Sequence, residues 1–303
     1  MNIKTLIKTA ITIILLTVIF RFVDFPSLLK ILKEINPLYL IPAVAFQFLS
    51  TFVSSLRWNI IMKTLDFKES TWFYIKSYFK GTFFNQALPG SIGGDAVRVL
   101  ELGGLGYRKR EAFYGIFIDR IVGLLGLLLL NLAANFTYSD LLPTWLYRLI
   151  NLTCTGSITG FIVLVMLRKA KFMSKIRFLD LFYDLSKRFR KVYSNIPNIS
   201  GQLILSVIIH LCSILCIYAI ALAIGLEYGL GAYLVIMPPV FLFTLIPISL
   251  AGWGVREGAM VGIFLLIGAP KEAVLSISIL YGLIVIFHSL PGMIFWVQSK
   301  SRI

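Results

Sequence analysis

Charged side chains are scarce in this chain, and acidic ones scarcer still: Asp and Glu number 14 and Lys and Arg 29 among 303 residues. The charged fraction, 14%, falls well short of the roughly 25% of a soluble domain. A surface made mainly for water is therefore excluded. Histidine occurs twice, at His210 and His288, and cysteine three times, at Cys154, Cys212 and Cys216. All five lie in apolar sequence, and no His, Cys or carboxylate cluster stands at ligand spacing, so no metal site is expected. Cys212 and Cys216 share a helix face as small buried residues, and the two histidines read as core packing. Nucleotide loops and nucleophile–base pairs are also missing, so neither a cofactor nor enzyme chemistry is expected.

What the chain has in quantity is apolar sequence, at 58% hydrophobic residues and a mean hydropathy of +0.87. Several runs approach or exceed the roughly 20 residues that cross a bilayer as a helix. The net charge of +15 gathers in a few connecting loops, as the positive-inside bias predicts. No RNA- or DNA-binding motif accompanies it, and nucleic acid is not an expected partner. Composition and charge together describe an integral membrane protein.

Six spans are expected, at about 9–22, 37–56, 112–134, 143–167, 201–224 and 273–297. The first follows Lys4 and Lys8 and meets Arg21, Phe22 and Asp24 where a signal peptide would place small residues. It is read as a retained span with a cytoplasmic N-terminus. Residues 25–36 read as an amphipathic helix on the outer surface, with Phe25, Leu28, Leu29 and Leu32 opposite Lys30, Lys33 and Glu34. Arg57-Trp58 reads as the basic and aromatic anchor where the second span reaches the cytoplasm. From Arg168 to Lys191 the chain carries nine Lys/Arg and two Asp. That stretch reads as a cytoplasmic surface helix beside anionic lipid heads, with Phe172, Ile176, Leu179, Phe182 and Tyr183 as its apolar stripe. The expected location is the cell membrane, with both termini cytoplasmic.

Two glycine breaks interrupt the apolar sequence. One is Leu88-Pro89-Gly90-Ser91-Ile92-Gly93-Gly94-Asp95-Ala96-Val97-Arg98; the other runs Ile246-Pro247-Ile248-Ser249-Leu250-Ala251-Gly252-Trp253-Gly254-Val255-Arg256-Glu257-Gly258. In lipid, irregular backbone survives only where protein or a water-filled cavity surrounds it. The apolar piece Tyr78–Leu88 is too short to cross, and basic clusters flank the first break on both sides. A hairpin that enters and leaves from the cytoplasm keeps those clusters on one face. A second hairpin from the outer side satisfies the order of the remaining spans.

The expected fold is thus all-α and polytopic, with about six transmembrane helices plus two re-entrant helical hairpins in an inverted repeat. Residues 1–303 form one membrane domain, with halves 1–135 and 140–303 and a basic connector at 168–199. Broken helices in inverted repeats mark the binding sites of alternating-access transporters.

The candidate site residues gather at the breaks. Gly90, Gly93 and Gly94 permit close backbone approach, and a helix starting near Ser91 would aim free N–H groups at an anionic phosphate. Arg98, one turn on, could add a bidentate contact; the plainer alternative makes Asp95 a helix cap after an ordinary turn. Asp119 and Arg120 are adjacent and point to different sectors, so each needs a partner elsewhere. Arg98 or Asp95 is expected for Asp119, and Glu101 for Arg120. Arg256 and Glu257, among Gly252, Gly254 and Gly258, pose the same choice between structural pairing and ligand contact.

These motifs resemble the flippase-like membrane domain of lysylphosphatidylglycerol synthases. The resemblance rests on Arg57-Trp58, the run Leu88 to Arg98, Asp119-Arg120-Ile121-Val122-Gly123, Pro247-Ile248-Ser249 and the run Gly252 to Gly258. It covers essentially the whole length. It implies a lipid headgroup path lined by Arg98, Asp119, Arg120, Arg256 and Glu257. The implied partner is a membrane lipid: an anionic or aminoacylated phospholipid, or a polyprenyl-linked one. The bifunctional relatives carry a soluble aminoacyl-transfer domain after the membrane part, and no such segment precedes Ile303, so synthesis of lysyl-lipid is not expected.

The leading functional expectation is a lipid flippase or transporter without covalent chemistry. A membrane-embedded enzyme on a lipid phosphate or sugar would need Asp95, Asp119 or Glu257 as its acid or base. A membrane anchor for a separate lipid-modifying enzyme would use the basic connector. A homo-oligomer stays open as well.

Overall fold

The computed structural model describes residues 17, 25–87, 93–166, 177–193, 196–246, 249 and 251–300. The first expected span apart from residue 17, residues 88–92 of the first break (Gly90 and Ser91 included), residues 247, 248 and 250 of the second, and Phe172 and Ile176 lie outside them. Among the described residues there are eleven α-helices and no strand. In chain order they are α1 (Phe25–Lys33), α2 (Leu40–Thr64), α3 (Thr71–Ala87), α4 (Gly93–Gly104), α5 (Lys109–Thr137) and α6 (Thr144–Met166). Then follow α7 (Arg177–Val192), α8 (Ile196–Ala223), α9 (Leu230–Leu245), α10 (Val255–Leu265) and α11 (Lys271–Lys300). A 3-10 turn at Pro37–Tyr39 leads into α2, capped by the Asn36 side chain, which accepts from Leu38 N–H at 3.1 Å.

Four stretches, Pro37–Thr64, Lys109–Thr137, Asn198–Ala223 and Lys271–Ser299, are long and apolar enough to cross a membrane. The shortest has 26 residues, about 39 Å at the helical rise, against a hydrocarbon layer of about 30 Å. With the 23-residue α6, they coincide with five of the six expected spans. The protein is an all-α polytopic membrane protein.

The order of lengths repeats. A long helix, two short ones and a long one make α2–α5, and the same sequence of elements makes α8–α11. Both short pairs fold back on themselves. In the first, Asn85 meets Gly94 and Ser77 meets Glu101. In the second, Thr244 lies beside Gly252 and the Tyr233 ring meets Phe264.

At the centre α2 runs antiparallel to α8. Asn36 N–H donates to Ala223 O at 2.9 Å near one end, Ser50 Oγ donates to Ile209 O at 3.1 Å in the middle, and Arg57 reaches Ser206 near the other. Each short pair then packs on the last long helix of the opposite half. The α3 backbone at Phe79–Lys80 lies directly on Gly292 of α11, and Asn131 of α5 donates to the Val235 carbonyl of α9 at 3.0 Å. This exchange interlocks the halves. Outward-facing Phe52, Ile60, Leu152, Leu283, Phe287 and Ile294 are exposed, a periphery made for lipid rather than water.

Three local expectations change. Helix α2 continues eight residues past the expected end at Leu56, so Arg57 and Trp58 lie inside the bundle, 4% and 0% exposed, and not on its lipid-facing surface. Helix α3 starts at Thr71 and not at Tyr78, because Ser70 accepts the first amide hydrogens through its side chain and carbonyl. Helix α7 buries Tyr183 of the expected stripe and extends it through Leu185, Phe189 and Val192, which pack with Ile61, Tyr114, Ile118 and Val122. Ion pairs from Arg188 to Glu111 (2.6 Å) and from Arg110 to Asp184 (3.2 Å) hold it in that register.

The Gly292 contact is directly testable. A Cβ there would stand 2.0 Å from the Phe79 carbonyl oxygen, whereas one at Gly160, also helical, meets nothing within 4 Å. Gly292→Ala should destabilise the fold by about 1–3 kcal/mol through overpacking, and Gly160→Ala should be neutral or slightly stabilising. Thermal melting of both variants in the same detergent decides the matter.

Candidate functional site

Helix α2 carries a polar stripe inside otherwise apolar sequence: Gln47, Ser50, Thr51, Ser54 and Arg57 are all buried. The spacing of three and four places them on one face, turned toward α8 and α11. Ser50 meets Ser213 at 3.0 Å and Thr51 meets His288 at 3.0 Å. At its inner end the stripe finishes in Arg57, which runs across Gly123 of α5, where a Cβ would come within 3.1 Å of the guanidinium. The small residue is what admits the large cation.

Arg57 Nε donates to Asp119 Oδ1 at 2.9 Å, one terminal nitrogen donates to Ser206 Oγ at 2.8 Å, and the other to the Asp119 carbonyl at 3.1 Å. Asp119 is 1% exposed. A carboxylate this deep costs several kcal/mol unless a well-placed cation answers it, and this one is answered at both its side chain and its backbone.

The first break supplies the rest of the cluster. Helices α3 and α4 touch backbone to backbone: a Cβ at Gly94 would fall 2.1 Å from the Gly81 carbonyl oxygen. Gly94 N–H donates to Asn85 Oδ1 at 2.7 Å, which fixes the start of α4. Asp95 and Arg98, one turn apart on that helix, then face inward, 9% and 5% exposed. Arg98 pairs with Asp95, lies 3.6 Å from Asp119 Oδ2, and stacks on Trp58 and Tyr78 with its guanidinium carbon 4.8 and 4.6 Å from the ring centroids. Arg120 pairs with the other oxygen of Asp95.

The observed pairing corrects the expected one in part. Asp119 does lie near Arg98, but its principal partner is Arg57, which sequence reading took for an interface anchor. Arg120 engages Asp95, while Glu101 is held by Lys80 and Ser77, each at 2.5 Å. The signal that locates Arg57 is the polar stripe itself, which continues through it in helical register. Among the described residues three guanidiniums (Arg57, Arg98, Arg120) meet two carboxylates (Asp95, Asp119), so the formal charges of these five groups leave one positive in excess. One terminal nitrogen of Arg98 is buried and makes no hydrogen bond among the described residues.

The second break builds a closed pair instead. Gly252 and Gly254 adopt φ of +79° and +84°, a turn that other residues enter only with strain. It delivers Glu257 to the start of α10, where Oε2 accepts from Gly254 N–H at 2.6 Å. Glu257 Oε1 accepts from Arg256 at 2.6 Å and from Ser278 Oγ at 2.9 Å. Arg256 lies between the Trp253 and Tyr281 rings, at 4.8 and 5.5 Å, over Gly282. Ser249, just before the turn, buries a hydroxyl that makes no hydrogen bond among the described residues.

The two clusters stay apart. The first touches α8 at Ser206, and Tyr281 of the second is within electrostatic reach of Cys216, ten residues on and about 15 Å away by helical rise. Ile209, Cys212 and Ile214 are buried in that interval, and His210 and Ser213 are its polar side chains, His210 meeting the Gly123 carbonyl at 2.8 Å. Each break completes its own cluster against a long helix, α5 for the first and α11 for the second. Among the described residues no group of His, Cys, Asp and Glu could hold a metal ion.

Breaking either pair should be costly. Glu257→Gln leaves Arg256 buried beside a neutral amide, and Asp119→Asn does the same to Arg57. Removal of one partner of a buried pair typically costs about 3–5 kcal/mol, so both variants should melt well below wild type. Glu111→Gln, at the half-exposed pair with Arg188, should cost under about 1 kcal/mol. Equal losses in all three variants would mean that the buried clusters do not hold the fold.

The sequence profile described as the lysylphosphatidylglycerol synthase TM region matches residues 5–292. The chain is 22% identical over 306 residues to the UPF0104 membrane protein MJ1595 of Methanocaldococcus jannaschii, covering 91% of this chain and 89% of that one. It is 20% identical over 315 residues to the UPF0104 membrane protein PH1989 of Pyrococcus horikoshii, covering 93% and 92%. The profile spans both glycine breaks, three of the four long apolar helices in full and the fourth as far as residue 292, and every residue of the two charge clusters. The chain belongs to the lysylphosphatidylglycerol synthase transmembrane-region family.

Proposed function

We propose that this protein moves a polar-headgroup lipid, an anionic or aminoacylated phospholipid or a lipid-linked intermediate, between the leaflets of the cell membrane without covalent chemistry. The observation that carries the reading is the excess positive charge at the first break. Buried charge without compensation is expensive, and in membrane proteins it marks a substrate or ion path. Arg98 offers a terminal nitrogen with no hydrogen-bond acceptor at the start of a helix, where an anionic headgroup would also meet backbone N–H groups.

The shortness of α3, α4, α9 and α10 supports re-entry over crossing. The longest of them, α3, has 17 residues, about 25 Å of helix, and α10 has 11, about 16 Å. Two hairpins that dip in from opposite leaflets would place one charge cluster at each side of the membrane. A headgroup would then pass from one to the other along the polar stripe of α2, through Thr51, His288, Ser50 and Ser213. Loops rich in Lys and Arg, α7 among them, would face the cytoplasm with both termini.

The carboxylates favour transport over catalysis. Asp95, Asp119 and Glu257 are each engaged by a guanidinium, so a general acid or base at either break would first have to break an ion pair.

Reconstitution into liposomes tests the proposal. With headgroup-labelled phosphatidylglycerol on one leaflet, wild-type protein should equilibrate the label faster than protein-free vesicles. Loss of a charged hydrogen bond is worth roughly 1.5–3 kcal/mol, so Arg98→Gln should slow exchange by about tenfold or more at unchanged protein content. Arg98→Lys, which keeps the charge and loses the planar fork, should fall between. Exchange indistinguishable from empty vesicles for anionic, aminoacylated and polyprenyl-linked lipids alike would end this reading.

A further inference from the structure

Outside the residues of both breaks, a cleft of about 260 Å³ opens among α5, α6, α7 and α8. Its closed end is formed by Val122 and Phe189, both 0% exposed. Ile162 and Met166 stand at its open side, 52% and 55% exposed, on the outer surface of α6. The walls are almost wholly apolar, so a chain of water molecules would find no partners there. An apolar lining of this kind suits hydrocarbon, and the residues at its mouth are apolar and exposed.

Two polar groups interrupt the lining, and both are informative. Arg190 is exposed at the rim. Its basic neighbours are taken: Arg188 pairs with Glu111, Lys191 with Asp66 and Arg110 with Asp184. Among the described residues no carboxylate is paired with Arg190. The second group is Tyr193, whose hydroxyl is buried without a hydrogen-bond partner and within electrostatic reach of Arg57 and Asp119. The Tyr193 ring therefore forms the wall between the cleft and the first charge cluster.

We infer that this cleft binds one acyl chain of an anionic phospholipid, with the lipid phosphate at Arg190. A sterol or a neutral lipid could fill the apolar part but would leave the rim cation unanswered. Charge complementarity thus selects the headgroup, and the closed apolar end selects the tail. The inference goes beyond the transport reading, because a lipid can be held here whether or not it is moved. It also identifies residues of α6, α7 and α8 that neither break contains.

Photolabelling tests it with full-length protein in lipid nanodiscs. The probes are phosphatidylglycerol with a diazirine near the end of one acyl chain and the matching phosphatidylcholine. Adducts mapped by peptide mass spectrometry should fall on Phe161, Phe189 and Leu203, toward the closed end of the cleft. Phosphatidylglycerol should label these positions about fivefold more than phosphatidylcholine, the ratio expected from one basic residue near a membrane surface. Leu203→Trp, which fills the cleft, should remove the α6 adducts, whereas Ile204→Trp on the exposed side of the same helix should leave them. Should Leu203→Trp fail to fold, Met166→Trp at the exposed mouth serves the same purpose. Arg190→Gln should equalise the two lipids while the adducts persist.

Equal labelling of wild type by both lipids would overturn the anionic assignment. Labelling of α6 unaffected by the filling variants would overturn the cleft. Selective labelling in a protein that shows no leaflet exchange would uphold this site and count against transport alone. Exchange without labelling would do the reverse.

Discussion

The structure depends on the ion pair between Arg57 and Asp119. It joins α2 to α5 through two hydrogen bonds to the same aspartate, and reaches α8 through Ser206. Neither charge could remain at that depth alone, because lipid and packed side chains offer it no solvation. With the pair in place, three long helices acquire one fixed point of contact. Arg98 then joins from α4, close enough to Asp119 to share its charge, and brings Asp95 and Arg120 with it.

The second cluster solves a similar problem with fewer groups. Arg256 and Glu257 are neighbours in sequence, and the tight glycine turn before them lets the carboxylate cap its own helix while it pairs with the guanidinium. That cluster is balanced and closed, where the first carries an excess cation. The repeated order of helix lengths is thus matched by unequal chemistry at the two breaks.

Glycine sets the fine geometry throughout. Gly81 against Gly94, Gly123 beneath Arg57, Gly282 beneath Arg256 and Gly292 under α3 all permit contacts that a methyl group would block. In a membrane, where burial of apolar surface from water does not drive helices together, close packing and polar contacts supply the cohesion. Gly156 and Gly160 of the peripheral α6 stand outside that pattern, with nothing within 4 Å of an added Cβ.

Much of this could be read from the chain itself. Hydropathy and basic loops determined the class, five of the six expected spans coincide with described helices, and the glycine runs located both breaks, because in lipid the backbone must satisfy itself within each element. Periodicity on α2 also held the position of Arg57, had the polar stripe been followed past Ser54. What only the tertiary structure decided is which charges meet. Asp119 could have answered several cations, and Arg57 is 62 residues away from it. The choice was made by helix crossing and by the space at Gly123. Ion pairing is specified by three-dimensional distance, and a sequence carries charge and spacing but not the distances between helices.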